Sequence, residues 1–116
     1  NISFIKMDIL NQTPKGKYDI IISNPPYIPL KDFSRITEDV RGYEPMVALT
    51  DQADGLTFYK RYMNIIDDIL KDDGQILLEV GLNQHPLEVK KILIEKGILD
   101  AKLIKDLNGD NRFILA

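Results

Sequence analysis

The sequence predicts a small α/β fold, a partial Rossmann-like sheet that is mostly parallel and ends in a C-terminal antiparallel hairpin. Three observations carry this. Two short apolar runs, Tyr18 to Ser23 and Gln75 to Val80, flank an amphipathic helical pattern from Thr57 to Lys71, and strand–helix–strand succession implies parallel pairing through a right-handed crossover. A second helical pattern runs from about Pro86 to Lys96. The final stretches, Asp100 to Leu107 and Asn111 to Ala116, meet at Asn108-Gly109, where both residues tolerate positive φ and so favour a hairpin turn.

In chain order, Ile2 to Met7 reads as a short strand ending at Asp8, followed by a loop from Asn11 to Lys17 that contains Pro14 and Gly16. Tyr18 to Ser23 is rich in β-branched residues and reads as a buried strand. It ends at Asn24, because Pro25 and Pro26 lack backbone donors and have fixed φ. Ile28 to about Asp54 is irregular, interrupted by Pro29, Gly42 and Pro45, with a short helix expected over Ser34 to Val40 capped by Ser34 or Thr37. A connection this long in a compact domain is usually functional. In the helix from Thr57 to Lys71, Tyr59, Tyr62, Met63, Ile66, Ile69 and Leu70 form one apolar stripe, and Lys71-Asp72-Asp73-Gly74 ends it. The next strand carries Ile76, Leu77, Leu78 and Val80. Pro86 suits the first turn of the second helix, Val89, Ile92 and Leu93 form its stripe, and Gly97 is placed to stop it.

The 116 residues allow one domain, and 44% hydrophobic with 28% charged residues is ordinary for a globular chain. The absence of cysteine excludes disulfides, thiolate zinc sites and cysteine nucleophiles. A net charge of −3 offers no whole-chain attraction to nucleic acid, and no direct nucleic-acid partner is expected. No apolar run approaches the roughly 18 residues of a membrane span, so no membrane partner is expected and the cytoplasm is the default compartment. The opening Asn1, followed at once by strand-like residues, reads as a start inside a domain. Asp106-x-Asn108-x-Asp110 lacks the glycine and the twelfth-position glutamate of a calcium loop, so it reads as a turn and no metal site is expected. His85, before Pro86, reads as a surface or capping residue. Tyr59 and Tyr62 read as packing, and Lys60-Arg61 and Lys90-Lys91 as solvated helix faces.

The chemistry concentrates at Asn24-Pro25-Pro26-Tyr27. The tip of a strand is where open α/β sheets bind ligands, and this tip carries an amide, a rigid bend and an aromatic ring. An amide nitrogen is a poor nucleophile because its lone pair is delocalised into the carbonyl. The levers left to an enzyme are orientation and hydrogen bonding. The Asn24 side-chain oxygen can accept one N–H of a planar NH₂ group, the Pro25 carbonyl, stiffened by Pro26, the other, and Tyr27 offers a face. Such alignment supplies up to about 7–11 kcal/mol in ideal cases. The N6 amine of adenine poses the same problem, so the tetrapeptide serves either acceptor.

The run Asp19-Ile20-Ile21-Ile22-Ser23-Asn24-Pro25-Pro26-Tyr27-Ile28 resembles the strand-4 signature of amino-methylating S-adenosylmethionine (SAM) methyltransferases. Three further stretches, Val40-Arg41-Gly42-Tyr43-Glu44-Pro45, Asp54-Gly55-Leu56-Thr57-Phe58-Tyr59 and Leu77-Leu78-Glu79-Val80-Gly81, follow in an order and spacing similar to the HemK-type family, the peptide chain release factor glutamine N5-methyltransferases. The resemblance covers nearly the whole chain. It implies SAM-dependent methylation of the glutamine of a Gly-Gly-Gln motif in translation release factors, with the release factor as protein partner. It implies that Asn24, Pro25, Pro26 and Tyr27 hold that glutamine, that Asn24 also lies against the donor, and that Asp8 reads the adenine amino group while Ile9 packs on the ring. Glu79 and Glu44 could shape the acceptor pocket or be solvated carboxylates.

The chain also departs from that family. Its seven glycines, at 16, 42, 55, 74, 81, 97 and 109, never form Gly-x-Gly, so the glycine-rich SAM loop is missing, as is the acidic residue for the ribose. In family terms residues 1–116 are the C-terminal portion of one methyltransferase domain, beginning at about the third strand, and are expected to be inactive alone. The family's first strand would lie beside Tyr18 to Ser23, so one edge of that strand is expected to be open, inviting self-association or displacing the Ile2 to Met7 strand. Two other readings stand beside the leading one. An N6-adenine methyltransferase of DNA or RNA shares the proline-proline-aromatic motif but needs a basic surface. A non-catalytic remnant would keep the acceptor pocket without a donor loop.

Overall fold

A computed structural model of the chain describes residues 1–35 and 42–116. Its elements are β1 (Tyr18–Ser23), a 3₁₀ turn (Leu30–Arg35), the one-turn helix α1 (Met46–Leu49), α2 (Thr57–Ile69), β2 (Leu70–Glu79), α3 (His85–Glu95), β3 (Lys102–Lys105) and β4 (Asn111–Leu115). Most of the helix expected over Ser34 to Val40, and the Val40-Arg41 pair, lie outside the described residues. Ser34 itself falls in the 3₁₀ turn.

The strands form one sheet in the order β1-β2-β4-β3. β1 and β2 are parallel, joined through α2, and Ile21 lies opposite Ile76. β4 runs antiparallel to both β2 and β3, so the hairpin places its second strand, not its first, against β2. The hairpin turn is tied by the Asp106 carboxylate, which accepts from the N–H groups of Asn108 (2.8 Å) and Asp110 (3.1 Å), with Gly109 at φ +88°. The turn residues thus act on their own backbone.

Both long helices cover one face of the sheet. Cross-strand partners share a face, so Ile76, Leu78 and Ile114 stand together and pack against Tyr59, Tyr62, Met63 and Ile66 of α2 and Val89 and Leu93 of α3. The stripe expected on Thr57 to Lys71 is this core. The helix ends two residues early, because Leu70 is already extended and starts β2. At its other end the Asp51 carboxylate accepts from the N–H groups of Ala53 (2.9 Å), Gly55 (3.0 Å) and Thr57 (3.0 Å), capping a helix whose own N-cap, Leu56, has no side-chain acceptor. Gly97, at φ +100°, stops α3, and the Ile98 N–H donates back to the Leu93 carbonyl at 3.0 Å.

Two expectations are corrected. Ile2 to Met7 forms no strand. The segment runs exposed, with Phe4 96% accessible, because an extended run becomes a strand only by pairing, and no described strand takes it as a partner. The second concerns β1, which is an edge strand and not a buried one. Ile20 and Ile22, on the face opposite the helices, are 63% and 73% exposed, since no described element covers that side. The open edge itself agrees with the expectation. Among the described residues no helix is long and apolar enough to cross a membrane.

Candidate functional site

The backbone after β1 is fixed from several directions. The Ser23 hydroxyl lies 2.7 Å from the Tyr62 hydroxyl, and Pro25 is buried while Asn24 stays exposed. Beyond the bend, the Ile28 N–H donates to the Leu49 carbonyl and the Leu30 N–H to the Ala53 carbonyl, both at 3.0 Å. These bonds lay the segment against the loop 50–56. Gly55 sits at the contact with φ +83°, and a Cβ there would stand 2.4 Å from the Tyr27 carbonyl oxygen. Glycine is required twice over, for its backbone conformation and for the close approach.

The Tyr27 side chain is equally determined. Its hydroxyl donates to Glu79 Oε1 (3.2 Å) and accepts from Arg112 Nη2 (3.1 Å), and Arg112 and Glu79 pair at 3.3 Å. The guanidinium lies 5.6 Å from the centre of the Tyr27 ring, within cation–π range. Burial, opposed by the Arg112 charge and reinforced by that of Glu79, holds the hydroxyl above its ordinary value of 10.0, so it stays protonated and donates. The Tyr59 hydroxyl donates to the Glu79 carbonyl at 2.7 Å, fixing the strand end that carries the carboxylate.

His85 is buried, which corrects the expectation of a surface or capping residue; Gln84 occupies the N-cap of α3. Its Nδ1 accepts from the Gly81 N–H at 3.0 Å, and its Nε2 faces the Gly55 carbonyl at 3.0 Å. A carbonyl can only accept, so the ring is the neutral Nε2–H tautomer. It packs tilted against Tyr27 (5.9 Å) and edge-on to Tyr59 (5.3 Å). Gly81 fits there because a Cβ would meet both His85 and Tyr27 at 3.3 Å. The imidazole thus joins the loop after β2 to the loop before α2 behind the Tyr27 ring.

The loop after Met7 carries Asp8 and Ile9. The Asp8 carboxylate accepts from the Leu10 N–H (3.0 Å) and the Asn11 amide (2.7 Å), closing a local turn. Arg61 holds this loop by donating Nε to the Ile9 carbonyl (2.9 Å) and Nη2 to the Gln12 carbonyl (3.2 Å). It is an anchor and not the solvated residue expected. Ile9 lines an apolar hollow of about 390 Å³ with Met7, Ile21, Ser23 and Tyr62. Tyr27 lines a separate groove of about 1000 Å³ with Lys31, Asp54, Gln84, Glu88 and Arg112. Asn24-Pro25-Pro26 links the two along the chain, since Ser23 borders the hollow and Tyr27 the groove.

Of the residues singled out in the sequence, Tyr27 and Glu79 meet directly. Asn24, Pro25 and Pro26 directly precede Tyr27 in the chain and line neither cavity, and Ile9, but not Asp8, lines the hollow. Glu44 is exposed and does not line the groove. Sequence reasoning did not single out Arg112 or Asp51, and it read His85 as surface or capping and Arg61 as solvated. Only Arg112 left a signal, a cation at the head of an apolar strand whose natural counter-charge is Glu79 at the end of another.

The chain is 39% identical over 117 residues to the release factor glutamine methyltransferase of Fusobacterium nucleatum, with all of this chain aligned. It is 41% identical over 120 residues to that of Bacillus subtilis, again along its full length. The chain belongs to the release factor glutamine methyltransferase family. It spans 33% and 41% of the length of those two relatives, and it is also 36% identical over 100 residues to a bifunctional methyltransferase of Rickettsia bellii. No protein-family model matches it. The resemblance read from Asn24-Pro25-Pro26-Tyr27 and the three stretches after it is therefore correct at the level of the family. The one-parallel, two-antiparallel pairing of the sheet is consistent with part of a methyltransferase fold.

Proposed function

We propose that the enzyme carrying this chain methylates the N5 nitrogen of a glutamine side chain in a translation release factor, in the cytoplasm, and that residues 1–116 are the acceptor-side, C-terminal portion of its methyltransferase domain. The observation that supports this most is the turn after β1. An exposed amide, Asn24, follows a strand end fixed by Tyr62 and precedes a buried proline and an anchored aromatic ring. In this reading the Asn24 side-chain oxygen and the Pro25 carbonyl accept the two N–H protons of the glutamine amide, and the exposed part of Tyr27 bounds its plane. Pinning both protons turns the amide and raises electron density on its nitrogen.

SAM is the co-substrate of this reading. When bound it supplies an electrophilic methyl carbon. The residues present fit one end of it. Each Asp8 oxygen keeps a lone pair beyond its turn bond, free to accept from an adenine amino group, and Ile9 offers an apolar wall beside it. No Gly-x-Gly turn occurs in the sequence, so these 116 residues alone are expected to bind SAM weakly and not to turn over. Micromolar affinity in calorimetry would contradict that.

Incubating the intact enzyme with labelled SAM and either a purified release factor or an adenine-containing oligonucleotide tests the assignment. Label in the release factor is expected. Label in the oligonucleotide alone would replace glutamine by adenine as the acceptor. Asn24→Ala should lower the rate by about 10²–10³-fold, the usual effect of removing one preorganised hydrogen-bonding group, with the unfolding midpoint unchanged because Asn24 is exposed.

A further inference from the structure

We infer that Arg112 and Glu79 are a positioning pair for the acceptor loop, acting on it through the Tyr27 hydroxyl. The inference rests on reading Asn24 to Tyr27 as the acceptor site, and it assigns a task to the last strand of the chain.

The geometry is specific. Val80 donates its N–H to the Arg112 carbonyl at 2.9 Å, and Arg112 Nη1 returns a bond to the Val80 carbonyl at 3.3 Å. The guanidinium is therefore fixed at both its backbone and its head. From there Nη2 divides between the Tyr27 hydroxyl and Glu79 Oε1, and the plane lies near the Tyr27 ring. Both charged side chains are about a quarter exposed, 24% for Arg112 and 23% for Glu79, so the pair is shielded but borders the groove. A charge-assisted bond from a planar, pre-oriented fork constrains direction as well as distance. The Tyr27 hydroxyl, donating to one partner and accepting from the other, is spent inside the protein. What it leaves for an acceptor is the ring face, and the pair sets the angle of that face.

A double-mutant cycle in the intact enzyme tests this, with wild type, Tyr27→Phe, Arg112→Met and the double variant compared on release-factor methylation. Each single change is expected to lower kcat/KM for the release factor by about 10- to 100-fold, as small misplacements of a positioning group do, while KM for SAM stays put. The double variant should be no worse than the worse single within about threefold, because both remove one coupling. Arg112→Lys should recover part of the loss. Multiplying effects, a shifted KM for SAM, or a harmless Arg112→Met would each overturn the proposal, the first by showing that Arg112 acts on the substrate independently of Tyr27. If Arg112→Met does not fold, Glu79→Gln takes its place in the cycle with the same expectations. A second readout needs no substrate. With ¹³C-labelled tyrosine, Arg112→Met should shift the Tyr27 ring resonance and move its ionisation to higher pH, since a neighbouring cation is lost; an unmoved resonance would refute the pair. Wild-type enzyme that ignores release factor while this resonance responds would sink the acceptor assignment and leave the pair standing.

Discussion

The two sides of β1 are treated very differently by the rest of the chain. Its C-terminal tip is gripped by α2 through Tyr62, by the 49–55 segment through backbone bonds and Gly55, and by β2, α3 and β4 through Glu79, His85 and Arg112. Its outer edge and the face carrying Ile20 and Ile22 have no described partner. The difference shows that a hydrophobic run secures a strand only as far as something covers it, whereas the tip is secured by directional contacts. Apolar burial is non-directional. Fixing a ring or a carbonyl takes hydrogen bonds and close steric fits, and these flank the bend, at Ser23, Tyr27 and Ile28.

The contrast can be broken most sharply at Gly55. Gly55→Val forces a side chain into positive φ and onto the Tyr27 carbonyl. The combined cost is expected to be about 3 kcal/mol, from the left-handed backbone and overpacking together, read as a lowered denaturation midpoint with loss of methylation in the intact enzyme. A midpoint within experimental error of wild type would mean that the loop is not held at this contact.

A smaller effect is expected at Asp51, which supports the tip indirectly by capping α2. Asp51→Ala should cost about 1–2 kcal/mol, the range for a lost cap. The pH dependence has a definite sign. Burial disfavours the charged carboxylate, yet hydrogen bonds from Thr57, Ala53 and Gly55 prevail and hold its pKa below the ordinary 3.8. A group depressed in the folded state stabilises above its unfolded pKa and loses that contribution as pH falls through the folded one. The gap between wild type and Asp51→Ala should therefore be constant near neutrality and shrink below pH 3.8. A gap that stays constant in acid would contradict the capping role.

The smallest stability change is expected on the bare face. Ile22→Lys should alter folding free energy by less than about 0.5 kcal/mol, since exposed positions rarely matter more. It should nevertheless reduce self-association of the 116-residue chain in sedimentation, because lysine blunts an open strand. Wild-type chain that stays monomeric at every concentration would remove the sticky-edge reading.

Much of this architecture was legible residue by residue. The helical stripe from Tyr59 to Ile69 and the Asn108-Gly109 turn are where the sequence puts them, as is the strand end forced by Pro25 and Pro26. The misses share one cause. Ile2 to Met7 has the composition of a strand without a neighbour to pair with, Ile20 and Ile22 have that of a buried strand without a cover, and His85 looks like a helix-start residue until its ring is seen between Gly81 and Gly55. Composition describes what a segment can do, and the neighbour decides whether it does.

The sequence by itself determined the order of the four strands and two long helices from Tyr18 onward, the stop at Asn24 and the family to which the motifs point, because proline geometry, side-chain periodicity and turn conformations act within a few residues. Only the tertiary structure decided which face of β1 is covered and what surrounds Tyr27. Those contacts join residues far apart in the chain, Gly55 to His85 across 30 positions, Tyr27 to Glu79 across 52 and Tyr27 to Arg112 across 85, and no local preference encodes a partner at that distance.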